Sequence, residues 1–336
     1  MTDAAEQMQA PIQAEAITKK EIRKVLNRLA GGLLLYIVIQ TLAYLAENAV
    51  HITMIETGNQ SSAEKTAMIE GLAEKLSTSG LSYIIAVFTG IPFLWYFYRK
   101  PSLKAALFQS QKRMSGKLFL MIFFVFMSAQ FLFNLLDIGT EALLNQFGYS
   151  IMNEIKRATR LSTNIPMFLY ISFLGPISEE IIFRGFLLSA LKKYGKLFAI
   201  VTSAILFGAY HGNLLQGTVA AVSGLVFGYV TIEYSIKWSI LLHILNNLVF
   251  VDIIGRFISL FNNFTQTVFT YVLYGAFFIG GVIVFILKRK GIRNYLKKER
   301  TVRGCYRYAF TAAWMIIFLL LMTLTGINGI EKLAPA

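Results

Sequence analysis

Long apolar runs dominate this chain. They fall at about 30–50, 81–98, 118–137, 164–191, 197–212, 216–234, 238–255, 267–287 and 308–326. The hydrocarbon core of a bilayer is about 30 Å thick, and a helix rising about 1.5 Å per residue crosses it in roughly 20 residues. The runs therefore predict an all-α, polytopic membrane bundle of about 8–9 transmembrane helices. The first run is weakened by Glu47 and Asn48 near its end, the fourth is interrupted by Gly175-Pro176, and the last is set apart from the others. Only 15% of the residues are charged, against roughly 25% in a soluble domain, and the mean hydropathy is +0.58. A single cysteine, Cys305, rules out an intramolecular disulfide.

The net charge of +14 would suggest nucleic acid in a soluble protein. Here the basic residues cluster between the apolar runs, a pattern of membrane topology and of contact with anionic lipid. Twenty-four of the 32 Lys and Arg lie in the N-terminal tail, in 99–117, at Lys192, Lys193 and Lys196, at Lys237 and in 288–307. With alternating spans all these segments share one side, seven basic residues fall on the other, and Arg184 is left inside a span. Positive-inside then makes this a multi-pass protein of the cell membrane with a cytoplasmic N-terminus, and with the C-terminus outside when nine spans form. No signal-peptide pattern precedes the first run.

Four regions follow. Residues 1–29 form a cytoplasmic tail, in which 17–29 read as an amphipathic surface helix with Ile17, Ile22, Val25, Leu26 and Leu29 on one face. Residues 30–163 hold the first spans and a polar outer stretch, 51–80. Residues 164–255 carry unusual polar groups, and 256–336 hold the last spans with the basic loop 288–307. Gly224-Leu-Val-Phe-Gly228 has the small-residue spacing of closely packed membrane helices.

Ionisable groups in hydrocarbon cost several kcal/mol and persist where they pair, meet water or function. Three patterns concentrate that cost. In Glu179-Glu180-Ile-Ile-Phe-Arg184, Glu180 and Arg184 are one helical turn apart and suited to pair, while Glu179 points about 100° away. Pro176 predicts a kink or a new helix start, with Ser178 as a candidate N-cap. His211 closes Phe207-Gly-Ala-Tyr-His211, and His243 and Asn247 share a face in the seventh run, with Asn246 pointing elsewhere. Singly, these patterns also suit a structural ion pair, an inert histidine and interhelical hydrogen bonding. Counted from the nearest basic residue, Glu179, His211 and Asn247 lie about 15–22 Å deep and His243 about 9 Å. Those depths predict one cavity opening toward the cytoplasm.

A carboxylate with a neighbouring histidine activates water, and donors such as His243 and Asn247 stabilise an oxyanion by about 3–4 kcal/mol each. The inventory suits hydrolysis of a peptide bond, with Glu179 taking the proton and His211 orienting the water. Glu179, His211 and His243 are also candidate ligands of a catalytic Zn2+, although no His-Glu-x-x-His is present. A proton relay or transporter is a further reading of buried Glu and His, but only one broken helix and no repeat is visible. A non-catalytic scaffold or immunity protein is the third.

Taken together, in order and without a departure, Glu179-Glu180-x-x-x-Arg184, Phe207-x-x-x-His211 and His243-x-x-x-Asn247 resemble the CAAX protease and bacteriocin-processing family of intramembrane peptidases. The resemblance covers roughly 164–255. It implies a helical membrane fold with a conical cavity and endopeptidase activity. It implies that Glu179 is the water-activating base with His211, that His243 and Asn247 are the oxyanion site, and that Glu180 and Arg184 support Glu179. Members are often described as metalloproteases, while the motifs also suit a metal-free glutamate mechanism, which is favoured here. The partner implied is a peptide or protein substrate, lipidated or membrane-associated, with no role for nucleic acid.

Overall fold

The computed structural model describes residues 19–98, 112–301 and 304–333. The tail up to residue 18, which includes Ile17, and the basic residues Arg99, Lys100, Lys104 and Arg303 lie outside the described residues.

Helix α1 spans Lys19–Thr57. The segment expected to lie on the membrane surface is instead the first turns of this helix. Ile22, Leu26 and Leu29 are buried because they meet the chain's last helices, and Arg23 donates to Thr311 Oγ1 at 2.8 Å. Glu47, which weakens the first run in sequence, accepts the backbone N–H of Ser82 at 2.9 Å. That N–H belongs to the first turn of α4 (Leu81–Tyr98), where helical donors lack partners and a carboxylate meets the positive end of the dipole. Between them, α2 (Ser62–Glu70) and α3 (Leu72–Ser77) are short surface helices. Ser61 and Glu64 form a reciprocal capping box on α2, which holds the Glu64 carboxyl below its usual range.

Helix α5 (Gly116–Asn145) is followed by β1 (Tyr149–Ser150) and α6 (Met152–Ala158). One continuous helix of 30 residues, α7 (Ile165–Tyr194), carries the Glu-Glu motif. Then come α8 (Lys196–Tyr210), α9 (Leu214–Glu233), α10 (Ile236–Ser259), α11 (Asn263–Lys298), α12 (Cys305–Phe310) and α13 (Ala313–Ile327). A last strand, β2 (Glu331–Lys332), pairs antiparallel with β1.

Seven of these helices are long and apolar enough to cross a membrane: α1, α4, α5, α7, α9, α10 and α11. The other two predicted runs form α8 and α13, apolar helices of 15 residues, about 22 Å each. The nine runs are thus nine helices in an all-α bundle, two of them shorter than the bilayer core. The Gly224/Gly228 pattern packs as its spacing suggests. A side chain at Gly224 would press on Ala204, and one at Gly228 on Ile200, both of α8.

The bundle has two distinct ends. At one, Glu233 accepts from Lys112, from Lys196 at 2.8 Å and from the Tyr295 hydroxyl at 3.1 Å, and Lys196 also meets Glu299 at 3.6 Å. At the other, Arg160 donates to Ser77 Oγ at 3.0 Å, Asn164 to the Thr78 carbonyl oxygen at 2.6 Å, and Asn153 to Glu331 at 2.6 Å. The paired strands sit at this second end, so the chain's last strand and the 51–80 segment share a side.

Candidate active site

Of the kink or new helix start expected at Pro176, no new helix start occurs, since α7 runs on through it. Pro176 has no N–H to donate, and the helix absorbs it in a π-helical turn at Tyr170–Leu174, closed by the Gly175 N–H on the Tyr170 carbonyl oxygen. Ser178 is not an N-cap. It is buried and its hydroxyl donates back to the Gly175 carbonyl oxygen at 2.8 Å. A second π-helical stretch, Ile181–Leu188, follows the two glutamates, and a third, Leu245–Ile253, follows His243 in α10. Such wide turns are rare and concentrate at functional sites, because they re-aim side chains without ending the helix.

Glu180 and Arg184 pair as their spacing predicts, Oε1 to Nη1 at 3.0 Å, with both side chains fully buried. The guanidinium also lies over the rings of Phe207 at 4.4 Å and Phe227 at 5.1 Å, and Nη2 donates to the Gly224 carbonyl oxygen at 3.3 Å. The close approach of α9 at Gly224 makes that last bond available, since a Cβ there would press on Arg184 as well as Ala204.

His243 stands between the two carboxylates. Its Nδ1 is 3.3 Å from Glu180 Oε1 and its Nε2 is 3.7 Å from Glu179 Oε2, while the ring stacks on Phe227 at 5.0 Å. Sequence spacing sets His243 beside Asn247, and the chemistry and the family resemblance set Glu179 with His211. The structure also puts His243 next to Glu179, because α10 packs its His243 face onto α7 at the Glu-Glu motif. His211 lies just past the end of α8. Its Nδ1 is 2.9 Å from the Phe207 carbonyl oxygen. A carbonyl only accepts, so Nδ1 carries the proton and Nε2 of the neutral ring has the lone pair.

Asn247 donates to the Ile171 carbonyl oxygen at 3.0 Å, in the first π-turn of α7. Asn246 does not point elsewhere. It donates to Asn247 Oδ1 at 2.9 Å and accepts from Gln130 of α5 at 2.9 Å. Gln130 was not among the residues predicted, although an amide inside an apolar run is the same kind of anomaly as the others. Tyr36, Tyr170 and Tyr210 are electrostatic neighbours of Glu179 that the motifs do not mark. The Tyr210 hydroxyl donates to Gln40 at 2.9 Å, and Tyr170 stacks on Tyr83 at 4.8 Å.

Glu179, His211, His243 and Asn247 all line one cavity of about 770 Å³, within the size range of ligand sites. It reaches the end of the bundle opposite to the one the depths predict. Ser77, Arg157, Arg160 and Gln216 line it, all at the end away from the basic loops. Among the described residues, no side chain of the Lys112–Lys196–Glu233 end does so. The reason is the length of α8. It starts at Lys196 in the ion-pair network and ends after 15 residues, so its last turn and His211 lie below the opposite surface and leave space above them. Depth counted from one end does not say which end is open.

The residues fit a zinc site poorly. Among the described residues, no three His, Cys, Asp or Glu side chains converge as a metal-binding group, and His243 directs one ring nitrogen at each of the two glutamates.

Residues 161–249 match the model of the Type II CAAX prenyl endopeptidase Rce1-like family, and that stretch contains all six motif residues. No curated protein matches the chain, and no solved structure does. Together with the helical membrane fold, this makes the stretch 161–249 similar to the Rce1-like family, the family that the three motifs resemble.

Proposed function

We propose that this protein is an intramembrane endopeptidase in which Glu179 activates water for attack on a peptide carbonyl. The observation that carries the reading is His243 held between Glu179 and Glu180 at the wall of a cavity that also receives His211 and Asn247.

Glu179 is partly exposed to the cavity, whereas Glu180 is fully buried and committed to Arg184 and His243. That division leaves Glu179 as the carboxylate able to meet water. Water adds to the carbonyl carbon and gives its proton to Glu179, with the His211 Nε2 lone pair orienting it. The developing oxyanion takes hydrogen bonds from the second amide hydrogen of Asn247 and from Nε2 of His243 when that nitrogen is protonated. Each such donor is worth about 3–4 kcal/mol in a site closed to bulk water. The C–N bond then breaks, and the proton held by Glu179 passes to the leaving amine. Arg184 pairs with Glu180, and Glu180 fixes the His243 ring. No metal enters these steps.

Cleavage of a mixed peptide library by the detergent-solubilised protein tests this. Glu179→Ala and Glu179→Gln are expected to lower cleavage at least a thousandfold with an unchanged melting temperature, and a chelator is expected to leave the wild-type rate unaltered. Full activity in Glu179→Ala sinks the mechanism. Loss of activity on chelation, restored by added zinc, replaces it with a metal mechanism.

A further inference from the structure

The cavity is unevenly charged. Histidines aside, the charged residues lining it are Glu179 within and Arg157 and Arg160 at the entrance. Neither arginine uses all of its donors. Arg157 meets the buried carboxylate of Glu154 through Nη1 at 3.1 Å, but its own side chain is 61% exposed and keeps further donors accessible. Arg160, also exposed, donates one Nη1 bond to the neutral hydroxyl of Ser77. Both guanidiniums retain donors for a carboxylate, which arginine binds in a fork of paired hydrogen bonds. The entrance also lies at the end of the bundle that carries seven of the chain's 32 Lys and Arg, opposite the basic loops. Short basic loops stay in the cytoplasm, so the end without them faces outward.

We propose that the cavity takes its substrate from the extracytoplasmic face of the membrane, and that Arg157 and Arg160 select an exported peptide segment bearing a carboxylate. The selection rests on the proteolytic reading above; the side of access does not. A chain emerging on the outer face meets the guanidiniums first, and its carboxylate anchors there while the following residues reach Glu179. An acidic segment is also drawn in by the field of two positive charges at a low-dielectric opening.

Two measurements decide it. In intact cells, a membrane-impermeant maleimide is expected to label Arg160→Cys at least tenfold faster than Lys290→Cys on α11, which should react only after permeabilisation. The native Cys305 gives little background, since it is buried and burial pushes its thiol pKa up. Labelling of Lys290→Cys in intact cells, with Arg160→Cys protected, overturns the outward opening whatever the protein cleaves. In detergent, a soluble mixed-sequence peptide library read by mass spectrometry should show enrichment of Asp and Glu among cleaved members. The Arg157→Gln/Arg160→Gln double variant is expected to lose that enrichment, with a kcat/KM about tenfold lower for acidic peptides and unchanged for their amide counterparts. Equal preferences in both proteins overturn the selection. Cleavage that is identical in Glu179→Ala overturns the proteolytic reading instead, and leaves the labelling result standing.

Discussion

Asn247 has two amide hydrogens, and one of them is already on the Ile171 carbonyl oxygen. Its side-chain oxygen is held by Asn246, which Gln130 holds in turn. The second hydrogen is therefore fixed in direction by two neighbouring amides. Gln130→Leu should let the Asn247 amide rotate, lowering kcat about tenfold with little change in KM, as expected for a loss confined to the transition state. Steady-state kinetics on a cleaved library peptide would check this, and a change in KM alone would contradict it. The Glu180–Arg184 pair poses a different problem. Both charges are fully buried, so removing one strands the other. Arg184→Met should cost about 3–5 kcal/mol, and Glu180→Gln in the same chain should restore a large part of it. Unfolding of both variants in detergent measures the difference. If the double variant is no more stable than the single one, the stranded charge is not the cause.

At the scale of the element, three π-helical stretches set the directions of the motif side chains. The first accommodates Pro176 without breaking α7, and its Ile171 carbonyl oxygen receives Asn247. In an ideal α-helix, Asn246 points away from the face shared by His243 and Asn247. The wider turn after Ile244 brings Asn246 to the same cavity. The α8–α9 contact is the other element that matters, since α8 carries His211 and α9 brings Gly224 to Arg184. The two helices touch backbone to backbone where Gly208 faces Gly217, and a Cβ on Gly208 would collide with the Gly217 carbonyl oxygen. Gly208→Leu should therefore destabilise the bundle by about 1–3 kcal/mol and reduce cleavage, because the helices must part. A melting temperature equal to wild type would show that the contact has more room than this.

Across the whole molecule, one end is tied by charge and the other is open. Glu233 gathers Lys112, Lys196 and Tyr295, which belong to the segment before α5, to α8 and to α11. At the open end, Arg256 holds Asp252 at 3.0 Å and donates to both oxygens of Ser162, fastening the segment just before α7 to α10. Glu233→Gln should lower the melting temperature while leaving KM for peptides unchanged, since the cavity is not lined from that end. A raised KM with unchanged stability would instead mean that peptides pass through the tied end.

The sequence by itself determined the class of the molecule and named most residues of the candidate site. Nine apolar runs could only be helices in a membrane, and Glu179, Glu180, Arg184, His211, His243 and Asn247 were legible because charge and amide groups in hydrocarbon stand out one residue at a time. The Glu180–Arg184 pair was legible too, because helical spacing is local. Tertiary structure decided what depends on several helices at once. It put His243 beside Glu179, brought Gln130 to Asn246, and opened the cavity at the end away from the basic loops. A linear pattern carries period and depth, but not which faces of separate helices meet. It does not reveal a π-turn, which shifts those faces by one residue. Nor does it show that a helix of 15 residues stops short and leaves a cavity beside His211.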